Sequence, residues 1–306
     1  MIVGLDIGGH HVAGALVDES GSRFIPHSYR HVDVDRGAPK EQLLDAWAAL
    51  IDEIAATSAF TIRGVGAAMP GPFDYANGIA YFEGNKKFES LYGVDVGREL
   101  RERCGYAPEF RFLNDATAFA VGCANDPGTL LRYRLLALTL GTGLGSAFLD
   151  HGIPVISDAD GKVPPHGSLW HLPFKDTIAD DYVSSRWLLA RGREVLSPEI
   201  ESVAEIAASV RATRRGREIF EEYGANLASI VARWITSFSC EVVVLGGRIT
   251  KAYDLFSASL EQGLASAGAA RPIVIHERTE DAAILGAATS FNDDFWKIAR
   301  SRLPTR

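Results

Sequence analysis

Twice along the chain an apolar strand-like run meets a glycine-rich turn and is followed by a second apolar run. The first instance is MIVGLDIGGHHVAGALV, with Gly8 and Gly9 at the turn. The second is LTLGTGLGSAF, residues 138–148, with Gly141, Gly143 and Gly145. Glycine turns between apolar runs of this length are hairpin signals. After each hairpin, strand-like and helical segments alternate, which predicts an α/β architecture built in two halves.

The remaining pattern fits that plan. Residues 23–34 are predicted to form a third strand. Leu43, Leu44, Trp47, Leu50, Ile51 and Ile54 fall on one face of a helix over 41–58. The apolar run 62–69 ends at Pro70-Gly71-Pro72, which stops a strand. Helices are expected over 94–104, 116–122, 181–193, 203–213, 216–238 and 281–291. Strands are expected over 110–113, 133–140 and 241–247.

Composition narrows the function classes. With 306 residues, 47% of them hydrophobic, the chain can bury more than one core. A net charge of −8 without a basic run argues against a nucleic-acid partner. A phosphate site is still allowed, because it needs only local positive potential. Cys104, Cys123 and Cys240 are widely spaced and form no CxxC pair, so reduced thiols are expected. No apolar run approaches the roughly 20 residues of a membrane span, and no signal pattern precedes the first strand. A cytoplasmic protein without a membrane partner is the expectation.

Four segments can carry chemistry. In DIGG, Asp6 to Gly9, glycines let the backbone approach phosphates, and Asp6 suits a hydrated magnesium ion. Gly141, Thr142 and Gly143 of the second hairpin form another potential phosphate cradle; their spacing matches neither a dinucleotide fingerprint nor a Walker loop. In LGGRIT, Gly246 and Gly247 follow an apolar strand and suit contact with a flat nucleotide moiety, or a purely structural turn. In LNDATA, Asp115 falls at a strand end, where a carboxylate can take a proton from an attacking alcohol. Asn114 or Asp115 can equally cap the helix that follows.

In this order and at these intervals, the four segments resemble the ROK family of bacterial sugar kinases, within the sugar kinase, actin and Hsp70 superfamily. PGPFD at 70–74 and AILGAA at 283–288 add to the resemblance, which covers nearly the whole chain. It implies a two-domain actin-like ATPase fold, ribonuclease H-like, with an interdomain cleft. A smaller domain over 1–116, a larger one over 117–291, and a helix over about 292–306 packing back on the first are expected. It further implies ATP and Mg²⁺ as cofactors, a hexose or hexose derivative as substrate, and a homodimer. Asp115 would be the general base. Asp6, Gly8, Gly9, His10, Gly141, Thr142, Gly143, Gly246 and Gly247 would meet the nucleotide and its metal. Gly71, Asn114, Ser168, His171 and Asp180 would meet the sugar.

The chain departs from that family in two places. His10 stands where the family has a threonine, and His11 follows it. In the stretch HGSLWHLPF, His171 matches the histidine of the Glu-x-Gly-His sugar motif, but Ser168 replaces its glutamate and Trp170 its glycine. Trp170 offers either an apolar face for a sugar or filling for a missing loop. The zinc cysteines are missing, since no cysteine lies between Cys123 and Cys240, so no zinc site is expected. Two rivals to a kinase follow: a sugar-responsive regulator and a catalytically weakened sugar or nucleotide binder. Regulators of the family carry an N-terminal helix-turn-helix, which is not expected where the hairpin strand opens at Ile2.

Overall fold

The computed structural model describes residues 1–19, 21, 23–84, 87–125, 133–156 and 160–303. Strands β1 (Ile2–Ile7) and β2 (His11–Val17) form the first hairpin, and β3 (Arg30–Asp33) pairs with β2. Helix α1 (Lys40–Ala55) leads to β4 (Gly64–Met69), which runs parallel to β1. A two-stranded ribbon, β5 (Phe73–Asp74) and β6 (Ile79–Ala80), precedes helix α2 (Val96–Arg103). Strand β7 (Glu109–Asn114) then pairs parallel to β4 and runs straight into helix α3 (Asp115–Asn125). The sheet order is β3-β2-β1-β4-β7.

The second hairpin joins β8 (Arg134–Leu140) to β9 (Leu144–Asp150), with β10 (Ile153–Pro154) antiparallel at its edge. A short ribbon, β11 (Pro173–Phe174) and β12 (Thr177–Ile178), is followed by helices α4 (Ser185–Val195), α5 (Val203–Thr213) and α6 (Arg217–Ser237). Strand β13 (Val242–Gly246), helix α7 (Tyr253–Ser266) and strand β14 (Ile273–Ile275) complete this half. Its order is β10-β9-β8-β13-β14, with β13 parallel to both β8 and β14. The two sheets thus repeat one plan: an antiparallel edge and hairpin, then two parallel strands. Helices α8 (Thr279–Thr289) and α9 (Asp293–Arg300) end the chain.

By contact the chain divides into two compact units, one comprising Met1–Arg132, Leu149–Pro154 and Glu280–Arg306, the other Tyr133–Phe148 and Val155–Thr279. In the first, α8 lies directly on the sheet. A Cβ on Gly66 of β4 would come within 2.1 Å of the Ala287 carbonyl oxygen, and one on Gly286 within 1.8 Å of the Ala118 carbonyl oxygen. No side chain fits at either point, which gives AILGAA a packing reason. The helix start, with Glu280, is thereby fixed against the sheet. Arg111 reinforces the opposite end of α8, lying 4.6 Å from the centroid of Phe291 and bonding Asp293 at the start of α9. In the second unit, the buried aromatics Phe220, Tyr223 and Phe256 join α6 and α7 into the core beside β8 and β13.

The third strand is shorter than the 23–34 expected from sequence. Ile25 still donates to the Leu16 carbonyl at 2.8 Å. Pro26 then has no N–H, His27 turns into the left-handed region at φ 64°, and the Ser28 hydroxyl accepts the Leu16 amide at 2.9 Å. A side chain thus replaces a ladder partner, and pairing resumes only at Arg30. Helix α7 has no counterpart in the sequence-based expectations.

Candidate active site

In the first unit, the β1–β2 turn brings Asp6 to Gly9 to the end of the sheet. Gly8 donates its amide to the His11 carbonyl at 3.0 Å, closing the turn. Among the described residues, the amides of Gly9 and His10 have no acceptor. Gly8 therefore shapes the turn, while Gly9 and His10 carry the donors that a phosphate needs. The His10 side chain is exposed. His11 Nε2 lies 2.7 Å from Glu280 Oε2, and the Tyr29 hydroxyl donates to Glu280 Oε1 at 2.7 Å. Glu280 thus ties β2 and the loop before β3 to the start of α8. Burial, reinforced by the charges of Asp115 and Glu280, pushes the Asp6 carboxyl up to about 8.

Asn114 and Asp115 sit where β7 becomes α3. The Asn114 side-chain oxygen accepts the amides of Ala116 (3.1 Å) and Thr117 (3.3 Å), and its amide nitrogen donates to the Tyr75 hydroxyl (3.1 Å) and to Asp115 Oδ1 (2.9 Å). Asn114 is the helix cap. Asp115 Oδ1 also accepts the Ala116 amide at 2.8 Å, so the bonds from Asn114 and Ala116 fall on one oxygen. Burial raises the Asp115 carboxyl above the ordinary aspartate range, opposed by the Ala116 amide and the charge of Lys87. The Tyr75 hydroxyl, which donates to the Met69 carbonyl at 3.1 Å, buttresses this corner. A Cβ on Gly71 would stand 3.3 Å from that same hydroxyl, so Gly71 is close to Asn114 through Tyr75.

In the second unit, the hairpin turn is held by internal bonds. Gly141 donates to the Gly143 carbonyl at 3.1 Å and accepts the Ser185 amide at 2.8 Å. The amides of Thr142 and Gly143 have no acceptor among the described residues. Asp180 closes the turn from the side. Its Oδ1 accepts the Leu144 amide at 2.6 Å, and its Oδ2 accepts from Arg186 at 2.6 Å. A Cβ on Gly143 would come within 2.7 Å of that Oδ1, whereas one on Gly141 would meet nothing within 4 Å.

The segment with Ser168 and His171 is fastened to the same hairpin. The Ser146 hydroxyl donates to the Gly167 carbonyl (2.8 Å) and accepts the Leu169 amide (2.9 Å), and Asp180 donates its amide to the Trp170 carbonyl (3.0 Å). Gly167, Leu169 and Asp180 are thereby tied to the second hairpin, and the segment that carries Ser168 and His171 runs between these ties. Burial and the neighbouring His166 lower the His171 pKa, so its ring is neutral near pH 7 and can both donate and accept. Trp170, half-exposed, packs edge-on against His171 at 5.2 Å.

Gly247 has a structural reason of its own. Its φ is 91°, and a Cβ there would lie 2.3 Å from the Leu140 carbonyl oxygen. Its amide donates to Thr279 Oγ1 at 2.7 Å, and its carbonyl accepts the Thr250 hydroxyl at 2.7 Å. Gly246 is the buried end of β13. Among the described residues no group of three or more histidine, cysteine, aspartate or glutamate side chains is arranged to hold a metal. None of their helices is long and apolar enough to cross a membrane.

Three features of this site escape the sequence-based list: Glu280, Lys87 and the Asp180–Arg186 pair. Glu280 is 269 residues from its partner His11, and its only sequence signal is an acidic helix start. Arg186, six residues beyond Asp180 and in the first turn of α4, stands at no helical spacing that would have marked it as the partner of Asp180.

Two sheets of one plan, each headed by a glycine hairpin, define the class of two-domain actin-like α/β proteins. The chain belongs to the ROK family, which matches residues 2–294. It is 27% identical to the glucokinase of Thermotoga maritima, over 94% of this chain and 96% of that one. Its fold is similar to that of a ROK hexokinase from Thermus thermophilus, at a TM-score of 0.77 and 19% identity, covering 97% and 99% of the two chains. A ROK glucokinase from Streptomyces griseus, solved with glucose and AMPPNP, gives a TM-score of 0.73 at 19% identity, covering 94% and 97%.

Proposed function

We propose that this protein transfers the γ-phosphoryl group of ATP to a hydroxyl of a hexose or hexose derivative. The observation that carries this reading is the corner at Asp115. Its carboxylate stands at the end of a parallel strand, held on Oδ1 by a backbone amide and by Asn114. Oδ2 bears neither bond and is the oxygen that takes the proton. The sugar oxygen forms its bond to phosphorus as the bond to the β–γ bridging oxygen breaks, and ADP leaves. Asn114 takes the Thr117 amide at the start of α3 and shares the Ala116 amide with Asp115, so the cap does not rest on Asp115 alone.

In the first unit the amides of Gly9 and His10, and in the second those of Thr142 and Gly143, are donors offered to phosphate oxygens, each pair a set of fixed dipoles that needs no reorganisation. Gly8, Gly141 and Gly247 shape the backbone around them. Asp6 suits a hydrated Mg²⁺, since a buried carboxyl beside two other carboxylates gains from a dication. Such an ion supplies neutralisation of the phosphate charge. Asp180, held by Leu144 and Arg186, and neutral His171 are the polar groups offered to the sugar, with Ser168 in place of a carboxylate. Trp170 adds an apolar face.

The glucokinase relative and the AMPPNP complex of the Streptomyces protein support a hexose and ATP as the pair. The test is ADP release from MgATP across a panel of hexoses, hexosamines and N-acetylated derivatives. Sugar-dependent ADP release with at least one hexose is expected. A protein that binds ATP and a sugar yet releases no ADP with any of them contradicts the kinase and favours a catalytically weakened binder.

A further inference from the structure

One cation stands at the first glycine turn without a part in the scheme above. Lys87 follows the ribbon of β5 and β6, far from the hairpin in sequence. Its Cδ and Cε lie 3.8 and 3.7 Å from the position a Cβ on Gly9 would take. Gly9 is one of the two residues in that turn whose amides have no acceptor among the described residues. The Lys87 charge is also felt at Asp115. Its side chain is partly buried, and its alkyl stem passes beside the turn at Gly9.

The backbone that presents Lys87 is rigidly anchored. Phe88, the next residue, is fully buried and meets Trp47 edge-on at 5.3 Å and Phe82 at 5.6 Å. Its amide donates to the Arg36 carbonyl at 2.8 Å. Two residues on, the Ser90 hydroxyl donates to the Ala38 carbonyl at 2.8 Å. An aromatic plug on one side thus fixes where the lysine on the other side can reach.

We propose that Lys87 is a catalytic residue that holds the terminal phosphate of ATP between the Gly9–His10 amides and Asp115. This assignment rests on the kinase reading above. As the sugar oxygen bonds to phosphorus and the bond to the bridging oxygen breaks, negative charge spreads over the equatorial oxygens of the transferring group. The Lys87 ammonium lies on the side of Gly9 to meet that charge, while the hydroxyl proton passes to Asp115. The group must leave with the product, so a mobile point charge on a flexible stem suits the task better than a fixed fork. Because Lys87 addresses the terminal phosphate, it should distinguish a triphosphate from a diphosphate.

Titration calorimetry of the whole chain with Mg²⁺ and either AMPPNP or ADP tests this without any sugar. Lys87→Met is expected to weaken AMPPNP binding by about tenfold or more, as for loss of a charge-assisted bond, with ADP binding changed by less than about threefold. Lys87→Arg should recover part of the loss. In turnover with the best sugar found, Lys87→Met should lower kcat by about 10²-fold, the usual cost of one charge-stabilising donor, with sugar affinity unchanged. Equal weakening of both nucleotides, or of neither, overturns the assignment. A wild-type chain that phosphorylates nothing contradicts the kinase reading instead, and the AMPPNP-to-ADP comparison still decides the place of Lys87. Melting curves of both variants separate a folding defect from a lost contact.

Discussion

The two glycine hairpins share a sheet plan and differ in what surrounds their turns. The first, at Gly8 and Gly9, is bordered by charge: Asp6 before it on β1, Glu280 bound to His11, Asp115 at the end of β7, and the stem of Lys87 beside Gly9. The second, at Gly141 to Gly143, is bordered by bonds that close on themselves: Leu144 to Asp180, Asp180 to Arg186, Gly141 to Ser185. One turn is set up electrostatically and the other sterically. The same sequence device therefore has two different surroundings. On the proposed kinase reading, charge at the first turn suits a phosphate whose bonds change, and the locked geometry of the second suits a phosphate that does not react.

The sharpest break in that comparison uses two neighbouring glycines of the second hairpin. A side chain at Gly141 meets open space, so Gly141→Val should fold normally and obstruct only what binds there. Its MgATP affinity should fall by about a hundredfold, with sugar affinity within about twofold, a discrimination of near 3 kcal/mol. Gly143→Val should behave otherwise, because its Cβ meets Asp180 at 2.7 Å. Displacing Asp180 frees Leu144 and Arg186 together, so sugar and nucleotide affinity should both fall, with a lowered Tm. Calorimetric binding of each ligand to each variant checks this. Identical behaviour of the two would mean that the second turn is not locked by Asp180.

A smaller effect sharpens the electrostatic side. The Asp6 carboxyl is pushed up to about 8 in the folded protein, from an ordinary aspartate value in the unfolded chain. The folded state thus holds a proton that the unfolded state has lost, and stability falls as pH rises toward 8. Asp6→Asn carries no such proton. Without ligand, the Tm of the variant relative to wild type should rise by at least about 3 °C between pH 5 and pH 8.5. The shift should shrink when MgATP is bound, since a dication removes the penalty. A constant Tm difference across that range would show that Asp6 is ionised throughout.

The same contrast explains what the sequence could reveal. Both hairpins and the alternation after them are legible because glycine turns and apolar runs are local signals. The cap at Asn114 and the acid at Asp115 were narrowed to two neighbours, and only the bond from the Thr117 amide to the Asn114 oxygen separates their roles, since the Ala116 amide reaches both side chains. Asp180 was legible as a candidate, but its grip on Leu144 was not, because 36 residues separate the partners. Lys87 and Glu280 were illegible for the same reason, since a charge has no periodicity and its partner lies across the fold. The third strand was overestimated because strand propensity does not see Ser28 taking the place of a ladder partner.

In the proposed reaction Asp115 takes the proton from the sugar hydroxyl. Asp115→Asn retains the size of the side chain, and Asn114 continues to cap α3. The decisive measurement is kcat of this variant on the best sugar found, with sugar affinity determined in parallel. Loss of a general base is typically worth about 10² to 10⁴ in rate, so a fall of at least about a hundredfold with near-normal sugar binding is predicted. Turnover within about threefold of wild type, in a variant that binds the sugar normally, would contradict the account.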